Sequence, residues 1–267
     1  MITATDLRTR PRDDNDRAKL WRILGVELRD ELLGIIREPA SLFFSTIMPV
    51  AFYALFVGLW GQETTGATAV PTTVATSMLA TFGTFGVLGV TLFNPGVGVA
   101  DDRERGWLRA KRVSATPLPI TLVAKCLATV PYSLGVMLAM TAVAWGYGHL
   151  DIAMLVWLRL VLVLVVGALP FGLLGLAVGL RFSPNAATAI LQALLIPMAV
   201  VSGLWFPLEQ LPSVMQQIAP VMPAYHLAQV ALAQIDGGQI LTHAAALAAT
   251  TGVAALLAGF AYRHART

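Results

Sequence analysis

The sequence predicts an all-α integral membrane protein. Six transmembrane helices are expected, with an N-terminal amphipathic interface helix and a short cytoplasmic helix between the second and third spans. Short outer, re-entrant helices are expected between the fifth and sixth. Three observations predict this. Of 267 residues, 57% are hydrophobic and only 12% charged, with a mean hydropathy of +0.72; a soluble domain carries about 25% charged residues. Charge is absent from six long runs, each with the roughly 20 apolar residues that a helix needs to cross a bilayer. Lys and Arg alternate between the ends of those runs. The same composition excludes disorder, collagen-like repeats and a disulfide-stapled secreted fold. A single cysteine, Cys126, has no partner in the chain for a disulfide.

Residues 1–39 read as a cytoplasmic N-terminal segment. Residues 1–16 are polar. From Arg17 to Arg37, Leu20, Ile23, Leu24, Leu28, Leu32, Ile35 and Ile36 recur at helical spacing, while Arg22, Arg29, Asp30, Glu31 and Arg37 fall largely on other faces. This is an amphipathic helix, and Pro39 ends it. Leu20, Trp21, Leu24 and Leu28 are its interface residues, with Trp21 placed among the lipid headgroups. The first apolar run starts near residue 40 and exceeds the roughly 7–15 residues of a signal-peptide core, so it reads as a span.

The membrane domain covers residues 40–262. Its runs are Ala40–Gln62, Thr64–Ala100, Cys126–Leu150, Leu160–Leu180, Phe182–Leu208 and Gly237–Tyr262. Thr64–Ala100 is too short for two spans and a turn, so it reads as one long helix preceded by a loop. Residues 210–235 also lack formal charge but contain Pro212, Pro220 and Pro223, with Gln216, Gln217, His226, Gln229 and Gln234. A lipid-facing span cannot satisfy so many polar groups, so short outer helices over about 207–235 are expected.

The basic residues set the orientation. Residues 1–39 hold eight Lys and Arg, and 101–119 hold five; Arg181, Arg263 and Arg266 lie in later loops of the same side. The loops 61–70, 146–151 and 203–239 hold none. Cytoplasmic loops are the basic ones, so both termini, including the tail 263–267, are expected in the cytoplasm. Arg159 breaks the alternation and is expected to snorkel to the outer headgroups.

The long cytoplasmic loop reads DDRERGWLRAKRVSATPLP from Asp101 to Pro119. Arg105, Arg109 and Arg112 share a helical face, and Trp107, Leu108 and Val113 lie between them. A short helix over about 103–113 is expected, with Asp101 and Asp102 as charges at its N-terminus. Gly106 would admit a close backbone approach, and Pro117 and Pro119 stop the helix. Such a helix suits docking into a soluble partner; a loop that only fixes topology is the plainer alternative.

The spans lack mid-membrane ionisable residues, which argues against an ion-coupled transporter or a channel with charged rings. An apolar or amphipathic substrate fits this interior. In the second span Thr81, Thr84 and Asn94 are candidate path residues, but hydroxyls bonded back to their own helix and glycines used for packing explain most of its polar and small residues. Gln192, Ser202 and Phe206 are the further candidates. The four histidines are scattered without metal-ligand spacing, and no catalytic carboxylate or histidine cluster is apparent. The net charge of +3 requires no nucleic acid.

Two segments resemble ABC-2 type transporter permeases. The first comprises Glu104, Arg105, Gly106, Leu108, Thr116 and Pro117 after a long second span. The second runs from Ser202-Gly203 through Phe206-Pro207 and Leu211-Pro212 to Pro223 and Tyr225. The resemblance covers nearly the whole chain, and Trp107 and the Pro-Ala-Tyr-His-Leu ending are closest to the bacterial drug- and antibiotic-resistance permeases of that family. It implies the membrane subunit of an exporter in the bacterial inner membrane, working as two permease chains, expected as a homodimer, with two copies of an ABC ATPase. Residues 103–113 would be the coupling helix, with Arg103, Glu104, Arg105, Gly106, Trp107, Leu108, Arg109 and Pro117 meeting the ATPase. The N-terminal helix would be the interface helix, and the second and fifth spans would face each other across the dimer and line the path. ATP and Mg would sit on the partner, with no cofactor on this chain. Independently, none of Lys19, Lys111 and Lys125 lies in the G-x-x-x-x-G-K-[ST] setting of a P-loop. The rival expectation is a non-transporting membrane scaffold or assembly factor that recruits a cytoplasmic protein.

Overall fold

The computed structural model describes residues 13–36, 46–63, 72–108, 118–147 and 152–264, and every regular element among them is helical. They are α1 (Asp13–Ile36), α2 (Met48–Glu63), α3 (Thr72–Glu104), α4 (Leu118–Gly146), α5 (Met154–Gly167), α6 (Leu169–Gly179), α7 (Pro184–Val201), α8 (Ser213–Ile218), α9 (Pro223–Asp236) and α10 (Leu241–His264). Short 3-10 turns, Leu208–Gln210 and Ala219–Val221, flank α8.

Five stretches are long and apolar enough to cross a membrane: Val74–Glu104, Leu118–Gly146, Met154–Gly179, Pro184–Val201 and Leu241–His264. The expected first span falls partly outside the described residues, and its described part contains the shorter apolar helix Met48–Leu59.

Several boundaries differ from the sequence reading: the third span starts at Leu118 and not Cys126, the fourth at Met154 and not Leu160, and three further differences bear on the site. The second-span helix runs on to Glu104, so Arg103 and Glu104 close α3 rather than open a loop helix at 103. The fourth span breaks into α5 and α6 at Ala168, with Pro170 in the first turn of α6; a proline ring collides with the carbonyl four residues back and donates no hydrogen bond. The fifth span ends at Val201, not Leu208. Gly203 adopts φ +72°, its N–H bonds Val200 O at 3.1 Å, and the Leu204 N–H bonds Ala199 O at 3.0 Å. This is the paired closure of a left-handed C-cap, which a Cβ at Gly203 would strain.

α3 is the hub, packing against α2, α4, α6, α7 and α9. Its middle is fully enclosed: Leu79, Phe82, Leu88 and Leu92 meet Tyr53, Met137, Met140, Leu160, Leu164 and Phe171 from the surrounding helices. The glycines explain the closeness. A Cβ on Gly83 or Gly86 would press on Met137 Sδ at 2.7 Å or Val136 Cγ1 at 2.6 Å, and one on Gly175 or Gly179 of α6 would collide with the carbonyls of Leu92 and Gly96. α3 and α6 therefore touch backbone to backbone, the small-residue packing that serves helices in lipid. The expected self-bonded hydroxyls are present: Thr84 donates to Ala80 O and Thr91 to Val87 O, both at 2.8 Å, and Thr81 to Met78 O at 3.3 Å.

α1 follows the first half of α4. Leu20, Trp21 and Leu24 form an apolar groove with Pro119, Ile120 and Val123, and further on Tyr132 donates to Leu32 O at 2.7 Å. The contacts advance together along both helices, so α1 runs beside the first half of α4.

Candidate functional site

Two regions stand at opposite ends of α3. At its C-terminal end lies the root of the long loop. Asp101 pairs with Arg105 at 3.0 Å, four residues apart. Asp102 pairs with Lys125 of α4 at 2.8 Å, and the same ammonium takes Glu31 of α1 at 2.8 Å. Lys125 is only 5% exposed. A buried ammonium needs counter-charge, and here two carboxylates from two other helices supply it. Asp101 and Asp102 thus end α3 instead of starting a loop helix, and ion pairing offsets their unfavourable position at a helix C-terminus.

Arg103 donates through Nη1 to Leu180 O and through Nη2 to Phe182 O at 2.6 Å. These carbonyls end the fourth span, where a cation complements the negative end of the dipole. Gly106 turns the chain with φ +76° and has open space around it among the described residues, so the left-handed turn itself asks for glycine here. Leu108 is buried with Val99, Leu118, Leu176, Leu180 and Ala261. Of the eight coupling candidates, Arg103 and Leu108 fasten the loop to the bundle. Glu104, Arg105 and the 57%-exposed Trp107 face outward. Arg109 and Pro117, with most of the expected loop helix, lie outside the described residues.

At the other end of α3 a cavity of about 390 Å³ opens between α3, the α7–α8 connection and α9. Ser77 and Thr81 of α3 face Ser202, Trp205, Phe206 and Leu232 across it, and Glu209 and Asp236 stand at its exposed rim. Aromatic rings back it: Trp205 packs edge-on to Phe85 at 5.1 Å, and Phe206 to Phe56 at 5.3 Å. The Ser202 hydroxyl and Trp205 Nε1 are buried in this wall without a hydrogen-bond partner among the described residues. The structure so brings Thr81, Ser202 and Phe206 together. It does not bring the other three path candidates to them. Thr84 is wholly enclosed and self-bonded. Asn94 is turned inward, with both amide atoms unpaired. Gln192 is exposed on α7 beside Ile190, Leu194 and Ile196.

Sequence reasoning missed two groupings. The Glu31–Lys125–Asp102 cluster joins residues 94 positions apart, and no local pattern announces it. His226 and His243, read as scattered, meet Nδ1 to Nδ1 at 2.9 Å, while His226 Nε2 reaches Pro220 O at 2.9 Å. With Tyr225 they pin α9 to the start of α10.

A bundle of apolar helices with a tethered polar loop at one end and a cavity at the other has the build of a membrane transport subunit. The chain belongs to the ABC-2 type transporter family, whose model matches residues 24–235. It is 29% identical over 211 residues to the Bacillus subtilis (strain 168) protein named "Putative transport permease YvfS", a match spanning 78% of this chain and 83% of that relative.

Proposed function

We propose that this chain is the permease subunit of an ATP-binding cassette exporter, moving a hydrophobic or amphipathic compound outward across the bacterial inner membrane. The basic loops support a cytoplasmic α3–α4 loop and cytoplasmic termini, and in that orientation the cavity beside α9 faces outward. A separate ATPase, in two copies, binds ATP and Mg and grips the loop through Trp107, Glu104 and the basic residues that follow. A second permease chain completes the path. Gln192 supports that: an amide exposed in mid-span is costly against lipid and inexpensive against a second protein surface.

One observation carries the reading. α3 is a single helix that holds the loop root at Asp101–Glu104 and the cavity wall at Ser77 and Thr81. Its 33 residues span about 50 Å, so a push on the loop by a closing ATPase displaces the cavity wall. Arg103 and Lys125 make that push reach α6, α4 and α1 as well.

The test is co-expression with a candidate ABC ATPase, chosen as a soluble chain with a Walker A motif from a neighbouring open reading frame. Glu104→Ala and Gly106→Val should reduce co-purification of the ATPase and ATP-driven transport in vesicles. Undiminished association and transport in both variants would remove the loop from the mechanism.

A further inference from the structure

The rim of the cavity carries charge of one sign only. Glu209 and Asp236 line it, both are exposed, and neither is held in an ion pair among the described residues. Residues 203–239 contain no Lys or Arg. Arg159, the one described cation toward this end, lies exposed on α5 away from the lining.

Two helix termini add to this. α7 ends at Val201, beside Ser202 and Gly203 of the lining, and α9 ends at Asp236 itself. Helix C-termini carry about half a negative charge each, and both ends are held in place by the capping N–H groups of Gly203, Leu204 and Gly237. Beneath the rim Met78, Trp205, Phe206 and Leu232 give the wall an apolar and aromatic part, beside the neutral polar side chains of Ser77, Thr81, Ser202 and Gln229. Negative groups over low-dielectric walls focus the potential and concentrate cations, and aromatic faces add cation–π attraction.

We propose that this cavity binds organic cations with a bulky apolar body, and that such amphipathic cations are the class of compound the subunit releases. The assignment of cargo rests on the transport reading above; binding at the cavity does not. A lipophilic ammonium or phosphonium compound places its charge between Glu209 and Asp236 and its body against Trp205 and Phe206. An anion of the same shape meets two carboxylates and two helix C-termini and is rejected.

The experiment uses the full chain in nanodiscs of zwitterionic lipid, with tetraphenylphosphonium and its isosteric anion tetraphenylborate as probes. Tetraphenylphosphonium should bind saturably and quench tryptophan emission, with most of the quenching lost in Trp205→Phe. Glu209→Gln with Asp236→Asn should weaken binding about tenfold, the loss of two solvent-screened charge contacts. Glu209→Asp with Asp236→Glu should retain it, which separates lost charge from lost fold. Equal saturable binding of tetraphenylborate, or unchanged affinity in the neutralised variant, overturns the proposal.

Vesicles carrying the chain and its ATPase separate the two readings. ATP-driven movement of tetraphenylphosphonium that survives neutralisation of both carboxylates sinks the cation assignment and leaves transport standing. Saturable, carboxylate-dependent binding with no ATP-driven movement of any amphiphile sinks the transport reading and leaves the cavity's preference intact.

Discussion

The Lys125 ammonium holds three helices by two ion pairs, and its removal leaves Glu31 and Asp102 facing each other's charge in a largely buried setting. Breaking a buried pair from one side costs about 3 kcal/mol. Lys125→Met should therefore lower the thermal unfolding midpoint in detergent substantially. The triple variant Glu31→Gln, Asp102→Asn, Lys125→Met should recover most of the loss, because a neutral set needs no counter-charge. A single variant as stable as the parent would show that the cluster contributes nothing. From the sequence, Lys125 was legible as a cation at the inner end of a span. Its partners were not, because ion pairs between separate helices leave no periodic trace. The same holds for His226 and His243, whose meeting depends on how α9 turns back against α10.

At the scale of elements, the α3–α6 contact is the tightest joint in the bundle, since Gly175 and Gly179 rest on the carbonyls of Leu92 and Gly96. Gly179→Ala should destabilise by about 1–3 kcal/mol through forced separation of the helices. Gly89→Ala, with nothing within 4 Å of the added carbon, should be neutral or slightly stabilising, since alanine is the better helix former. Thermal midpoints of the two variants in one detergent measure the difference. The sequence showed the glycines as packing residues but could not say which ones carry contacts, because spacing along α3 does not reveal which face meets α6. Helix ends were the least legible. Gly203 and Pro170 fix two of them by backbone geometry inside uninterrupted apolar runs, where hydropathy has no edge to detect. The acidic pair at 101–102 reads as the start of a loop helix because Lys125, the cation that compensates Asp102, lies on α4.

For the whole molecule, the charge-free runs made the helical membrane class legible, since the cost of burying charge in lipid acts on every residue of a span. The assembly is read from what the single chain leaves uncovered. With Cys126→Ser as background, Gln192→Cys should form disulfide-linked dimers in native membranes under mild oxidation, visible as a band at twice the monomer mass. Cysteine at Val123, exposed on α4 beside α1, should form them far less. Equal cross-linking at both positions would point to random collision and not to a specific pair of subunits. The self-bonded threonines of α3 have a further consequence. Thr84 and Thr91 spend their hydroxyl protons on their own backbone within a fully enclosed stretch, so neither side chain has a proton left to hand to a neighbouring helix, and the core of α3 is closed to any relay that would run through them.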